Sequence, residues 1–196
     1  MKIQVILGST RPGRITERVA KWAVAEAGKL ENVDVELVDL AEYDLPFFDE
    51  PISPRYNPNR VINAPVKKLL TKLAEADGYV VVTPEYNHSI SAVLKNMFDY
   101  LDFQLTRKPV LAIAHGSVGG ARAIEHLKAI ISEAGAVAVP QTIAMHGASE
   151  LLDADGNYVG DTTNPYGSDK MIAMVLGELV WWTSTLKAGR EEAALV

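Results

Sequence analysis

The chain of 196 residues contains no cysteine. Disulfides, thiolate metal sites and cysteine nucleophiles are therefore excluded. It also lacks any uninterrupted apolar stretch near the roughly 18 residues of a membrane-spanning helix, so no membrane span is expected. Met1-Lys-Ile-Gln4 leads directly into a strand pattern, which leaves no room for the charged and apolar regions of a signal peptide and points to the cytoplasm. A basic excess is missing too. The net charge is −6, whereas nucleic acid is usually met by a clearly basic face, and no nucleic-acid partner is expected. His88, His126 and His146 stand singly, without the spacing of metal ligands, and no metal is expected.

What is present has an ordinary balance, with 48% apolar and 22% charged residues, and a length that suits one well-buried domain over 1–196. The charge is uneven. Residues 1–21 hold Lys2, Arg11, Arg14, Arg18 and Lys21 against Glu17, a balance of +4 that leaves −10 on the remainder. An anion would be drawn to that first segment.

Strand-like runs lie at 3–7, 33–40, 79–83, 110–114 and around 137–145, with helical patterns near 15–30, 61–76, 89–101, 121–134 and 170–187. This alternation predicts βαβ units and a three-layer α/β sandwich. Residues 79–83 are apolar up to Thr83, as in a strand covered on both faces, whereas 33–39 alternates apolar and acidic residues and reads as an edge. A five-stranded parallel sheet of order 2-1-3-4-5 places the second strand at that edge. Two stretches break the pattern: 46–65, with five prolines, and 148–168, rich in Asp, Gly and Asn.

Ligands of open α/β sheets bind beyond the carboxyl ends of the strands. The first strand ends in Gly8-Ser-Thr-Arg-Pro-Gly-Arg-Ile-Thr16 just before a helix. Free N–H groups at that helix start, the hydroxyls of Ser9, Thr10 and Thr16, and the charge of Arg11 or Arg14 suit a phosphate. The segment has neither the Gly-x-Gly-x-x-Gly dinucleotide pattern nor the Gly-Lys-Ser/Thr ending of a triphosphate loop. The third strand leads into Pro84-Glu-Tyr-Asn87, with Asn87 or Ser89 placed to cap the next helix. The fourth ends in His115-Gly-Ser-Val-Gly-Gly120, whose glycines would let a flat heterocycle approach the backbone.

Gly8-Ser-x-Arg11, Pro84-Glu-Tyr-Asn87 and Gly116-Ser-x-Gly-Gly120, in this order and each after a strand, resemble the NAD(P)H-dependent FMN reductases of the flavodoxin-like superfamily, over about residues 1–145. The resemblance implies a flavodoxin-like fold with FMN and NAD(P)H as cofactors. By position, Ser9, Arg11 and Thr16 would hold the FMN phosphate. Pro84, Glu85, Tyr86 and Asn87 would border the isoalloxazine, largely through backbone N–H groups, and Ser117, Gly119 and Gly120 would lie along its other side. Arg14 stands where many relatives have serine, and as a cation it would be a further phosphate partner. Hydride would pass from nicotinamide through the flavin to a small acceptor such as a quinone, an azo compound or free flavin, so no catalytic acid is nominated. Glu85 and Tyr86 would shape the acceptor pocket. Arg11, Arg55, Arg60 and Arg107 are open candidates for a nucleotide 2′-phosphate. Relatives are often dimers or tetramers, and apolar Phe98, Tyr100, Leu101 and Phe103 exceed what one helix face needs, which points to a homodimer or homotetramer.

The rival reading is a flavodoxin-like electron carrier or flavin-binding regulator without nicotinamide turnover. A hydrolase is disfavoured because His115 stands where a nucleophile elbow requires glycine. Asp153-Ala-Asp-Gly156 lacks the closing Glu of a calcium loop and reads as a hairpin turn, and Trp181 and Trp182 as packing of the last helix.

Overall fold

The computed structural model describes residues 1–193; the end of the domain expected over 1–196 lies outside the described residues. The apolar runs form the sheet centre as β1 (Lys2–Leu7), β3 (Gly78–Pro84) and β4 (Pro109–Gly116), with β2 (Asp34–Asp39) as the edge beside β1. Every pairing is parallel, in the order β2-β1-β3-β4-β5. The expected order is borne out, but the fifth position holds two short strands, β5 (Val137–Ala138) and β6 (Ile143–His146), both on β4. Pro140 has no N–H to give to a ladder, and the chain advances from Ala138 to Ile143 while β4 advances only from Val110 to Ile113.

Helices cover both faces. On one side α1 (Thr16–Ala27) and the long α6 (Ser168–Ala193) pack on Ile3, Val5, Leu7, Val80, Val82, Leu111 and Ile113. On the other, α2 (Ala64–Ala74), α3 (Ala92–Tyr100) and α4 (Ala121–Glu133) pack on Ile6, Val38, Tyr79, Val81, Val110 and Ala112. The alternating side chains of each strand thus serve two cores. A short helix α5 (Ala148–Leu151) precedes the hairpin, where Leu152 bridges Tyr158 and Gly156 supplies φ +84°. Within α6, Val175 and Leu179 are buried as expected, but Trp181 is 58% exposed, so it does not pack the helix on the sheet.

The apolar surplus on α3 is largely consumed within the chain. Phe98, Tyr100 and Leu101 are buried, and among the four expected to be in excess it is Phe103 that stays exposed, at 60%. The proline-rich segment covers the rest: Phe48 meets the Tyr100 ring edge-on, and Asn96 donates to the Pro46 carbonyl while accepting from the Phe48 N–H. Arg60, buried under this segment, pairs with Glu50 at 3.0 Å and Asp102 at 3.2 Å. Among the described residues, no helix is long and apolar enough to cross a membrane.

Candidate functional site

The carboxyl ends of β1, β3 and β4 meet at one edge, where side chains tie their three loops together. After β1, the Gly8 N–H donates to Val82 O and the Gly8 carbonyl accepts from Ser91 Oγ at 2.5 Å. Ser91 also caps α3 by accepting from the Leu94 N–H. It takes the role expected of Asn87 or Ser89, because the helix starts at Ala92, beyond the reach of either. Ser9, almost fully buried, has its Oγ 3.4 Å from Tyr86 Oη, which joins the first loop to the one after β3. Thr16 Oγ1 lies 2.8 Å from His115 Nε2 at the end of β4. Burial pushes the His115 imidazole down to about 4, so it is neutral at pH 7.

The loop before α1 is rich in free donors. Among the described residues, the backbone N–H groups of Ser9, Thr10, Gly13, Ile15 and Thr16 have no protein acceptor, and no side chain caps the helix. Helix dipole and unpaired N–H groups give this loop the chemistry that suits an anion. Arg11 stands exposed beside it. Arg14 does not: its Nη1 donates to the Ser9 carbonyl at 2.6 Å and to Asp39 Oδ1 at 2.9 Å, and its Nη2 pairs with Asp39 Oδ2. Of the remaining arginines, Arg60 is taken by Glu50 and Asp102, Arg55 donates to Ala134 O, and Arg107 precedes β4 at the opposite edge.

After β3, Tyr86-Asn87-His88-Ser89 forms a type I′ turn, with φ +49° at Asn87 and +67° at His88 and reciprocal bonds between Tyr86 and Ser89. The expectation that residues 84–87 offer several N–H groups is corrected here. Pro84 has none, Glu85 N–H is spent on His115 O and Tyr86 N–H on Ser89 O, which leaves Asn87.

The comparisons with known proteins agree with this arrangement. A family model described as NADPH-dependent FMN reductase matches residues 1–150. The chain belongs to the NADPH-dependent FMN reductase family. It is 33% identical over 195 residues to an NADPH azoreductase of Bacillus sp., covering 98% of both chains. With an NAD(P)H-dependent FMN reductase of Schizosaccharomyces pombe it shares 41% identity over 128 residues, 65% of this chain and 64% of that one's length. Among solved structures, a flavoenzyme NAD(P)H:(acceptor) oxidoreductase of Paracoccus denitrificans shares the fold with a TM-score of 0.72 at 23% identity, over 94% of this chain and 97% of the other.

In this member of the family several expected roles change hands. Glu85, expected to shape the acceptor pocket, has a side chain only 4% exposed that is held by Arg122, whose Nε donates to Oε1 at 2.6 Å and whose backbone N–H donates to Oε2 at 3.1 Å. Burial raises the Glu85 carboxyl, and the bonds from Arg122 outweigh this and hold it below the usual range. The glycines after β4 also serve the protein itself. A Cβ on Gly120, at φ +86°, would lie 2.6 Å from Ala114 Cβ and 2.8 Å from His115 N, while one on Gly119 would press on Ala144. They let α4 start directly against the sheet. Ser117 remains exposed at the rim.

Three residues of the edge are not candidates from the sequence, Asp39, Ser91 and Arg122, and His115, weighed there only against a hydrolase, partners Thr16. One carried a signal. A cation in the first turn of a helix opposes the helix dipole, so Arg122 called for an acidic partner.

Proposed function

We propose that the chain acts as one flavin-binding domain, an FMN-dependent NAD(P)H oxidoreductase that passes hydride through bound FMN to a small acceptor such as a quinone, an azo compound or free flavin. The observation that carries this is the set of N–H groups from Ser9 to Thr16 without an acceptor among the described residues, beside exposed Arg11 and one loop away from the Asn87 N–H, which has none among them either. These residues fit FMN. The first loop would hold the phosphate through backbone donors, Arg11 and the Ser9 and Thr16 hydroxyls, and the 84–87 and 117–120 loops would flank the ring. The names of the azoreductase and FMN reductase relatives support the same reading.

When bound, FMN supplies the hydride chemistry, and the protein supplies binding, orientation and donors. His115, neutral and under Thr16, leaves the phosphate charge to Arg11 and the backbone. The cytoplasm is the working place that goes with this reading. A groove of about 640 Å³ between α3 and α4, lined by Tyr86, Asn87, Ile90, Lys95, His126 and Ile130, adjoins the 84–87 loop, and the homodimer or homotetramer implied by the resemblance would bring a second subunit near it.

The deciding experiment is reconstitution with FMN, removal of the excess, and anaerobic addition of NADPH or NADH. Flavin absorbance that bleaches within seconds is the expected result. Bound flavin that stays oxidised would instead indicate an electron carrier, and no bound flavin would overturn the reading.

A further inference from the structure

Arg14 is expected from the sequence to be a phosphate ligand, yet its side chain is only 12% exposed and its guanidinium is engaged by Asp39, the Ser9 carbonyl and, at 3.6 Å, Glu17. Asp39 ends β2, accepts from the Ala41 N–H as the cap of a short turn, and is 16% exposed. The pair is close to neutral, held by two hydrogen bonds in a fork geometry that lysine cannot reproduce. The third bond, from Nη1 to the Ser9 carbonyl, reaches into the anion loop itself.

That bond has a geometric consequence. In a trans peptide the C=O and the following N–H point in opposite directions. Fixing the Ser9 carbonyl on Arg14 therefore turns the Thr10 N–H away from the Arg14–Asp39 pair, toward the open side of the loop. The Gly8 carbonyl just before it is held in the same manner by Ser91. If released, either of these two carbonyls could turn its negative end toward an incoming anion. Two side chains, Ser91 at the N-cap of α3 and Arg14 from within the loop, hold both.

We infer that Arg14 is a positioning residue of the phosphate loop, acting with Asp39 to aim the Thr10 N–H at the FMN phosphate, and that it does not itself bind the phosphate. This rests on the FMN reading above and deepens it. Arg11 supplies the charge, whereas Arg14 supplies the shape of the loop.

The test is titration of the flavin-free full chain with FMN and with riboflavin, followed by flavin fluorescence. It is run at about 0.5 M sodium chloride, where the screening length is roughly 4 Å and net loop charge counts little. Arg14→Gln and Asp39→Asn are each expected to weaken FMN binding about tenfold, and the double variant no further, because the pair acts as a unit. Asn at 39 keeps an acceptor for the Ala41 N–H. Riboflavin, which has no phosphate, should bind all variants within about twofold of the parent. Arg14→Lys keeps the charge and loses the fork, and should resemble Arg14→Gln.

Wild-type FMN affinity in Arg14→Lys, or tighter FMN binding in Asp39→Asn, would show that Arg14 acts by its charge and would overturn the inference. Equal losses for FMN and riboflavin would overturn it as well, because the damage would not be specific to the phosphate loop. A parent chain that binds no FMN would overturn the functional reading first, and that outcome is separate from all of these.

Discussion

Glu85 and Arg122 clasp the loop after β3 to the first turn of α4: the carboxylate accepts from both the side chain and the backbone N–H of the arginine. The acid is buried and the base is 41% exposed, so removing the base leaves a desolvated charge behind. Arg122→Ala is expected to destabilise the chain by about 1–2 kcal/mol after allowance for screening on the exposed side, read from urea unfolding. The Glu85 carboxyl titrates lower folded than unfolded, so this stabilisation is complete above the unfolded carboxylate range and fades as the pH falls through the folded value. An Arg122→Ala chain as stable as the parent would mean that the clasp contributes nothing.

His115 gives a second pH dependence in a different window. Its folded value of about 4 lies below the ordinary 6.5, so between these two values the unfolded chain binds the extra proton. Stability should decline as the pH drops from 6.5 toward 4, by roughly 3 kcal/mol at most from this group. His115→Asn should remove that slope while leaving the more acidic one from Glu85. Thermal unfolding at several pH values would falsify this if both chains showed the same slope between 4 and 6.5.

Gly120 and Gly13 separate two costs of a side chain. Both have positive φ, +86° and +68°, but a Cβ on Gly13 meets nothing within 4 Å, whereas one on Gly120 collides with Ala114 and His115. Gly13→Ala is expected to cost about 1 kcal/mol from backbone strain alone. Gly120→Ala adds overpacking and should cost roughly 3 kcal/mol. Similar unfolding midpoints for the two variants would contradict the close packing of α4 on the sheet.

Arg60 anchors the proline-rich segment through Glu50, Asp102 and the Tyr100 carbonyl. Its side chain is 4% exposed, so Arg60→Ala strands two acids and should destabilise the chain by about 3 kcal/mol. Limited proteolysis should then cut within 46–60 well before the parent is cut there. Unchanged resistance of that segment would count against the anchor.

Much of this architecture was legible in the sequence, because it is written in local patterns. The alternation of Val33 to Asp39 marks an edge, the run before Thr83 marks a strand covered on both faces, and each loop's donors follow from residues adjacent in the chain. What could not be read depends on residues that meet only after folding. Arg14 finds Asp39 across 25 positions, Glu85 finds Arg122 across 37, and Thr16 finds His115 across 99. Two of these pairings engage side chains that the sequence offers as free: Arg14, read as a phosphate ligand, is held by Asp39, and Glu85, read as a pocket acid, is held by Arg122. The α3 surplus has the same physical origin, since the cover supplied by Pro46 and Phe48 comes from about 50 residues upstream. The split fifth strand carried a local sign, Pro140, whose force depends on where β4 needs a partner.

That split has a bearing on how the protein survives in a crowded cell. A parallel sheet ends in two rims of unpaired peptide groups, each a template for an unrelated strand. Here one rim is β2, bordered by the exposed Asp34 and by the ion pairs of Glu36 with Lys2 and Lys72, a charged margin that an apolar strand would have to desolvate. The other is stepped by the detour through Pro140, so no long straight ladder is on offer. The interruption that spoils a regular strand thereby closes the sheet to indiscriminate growth.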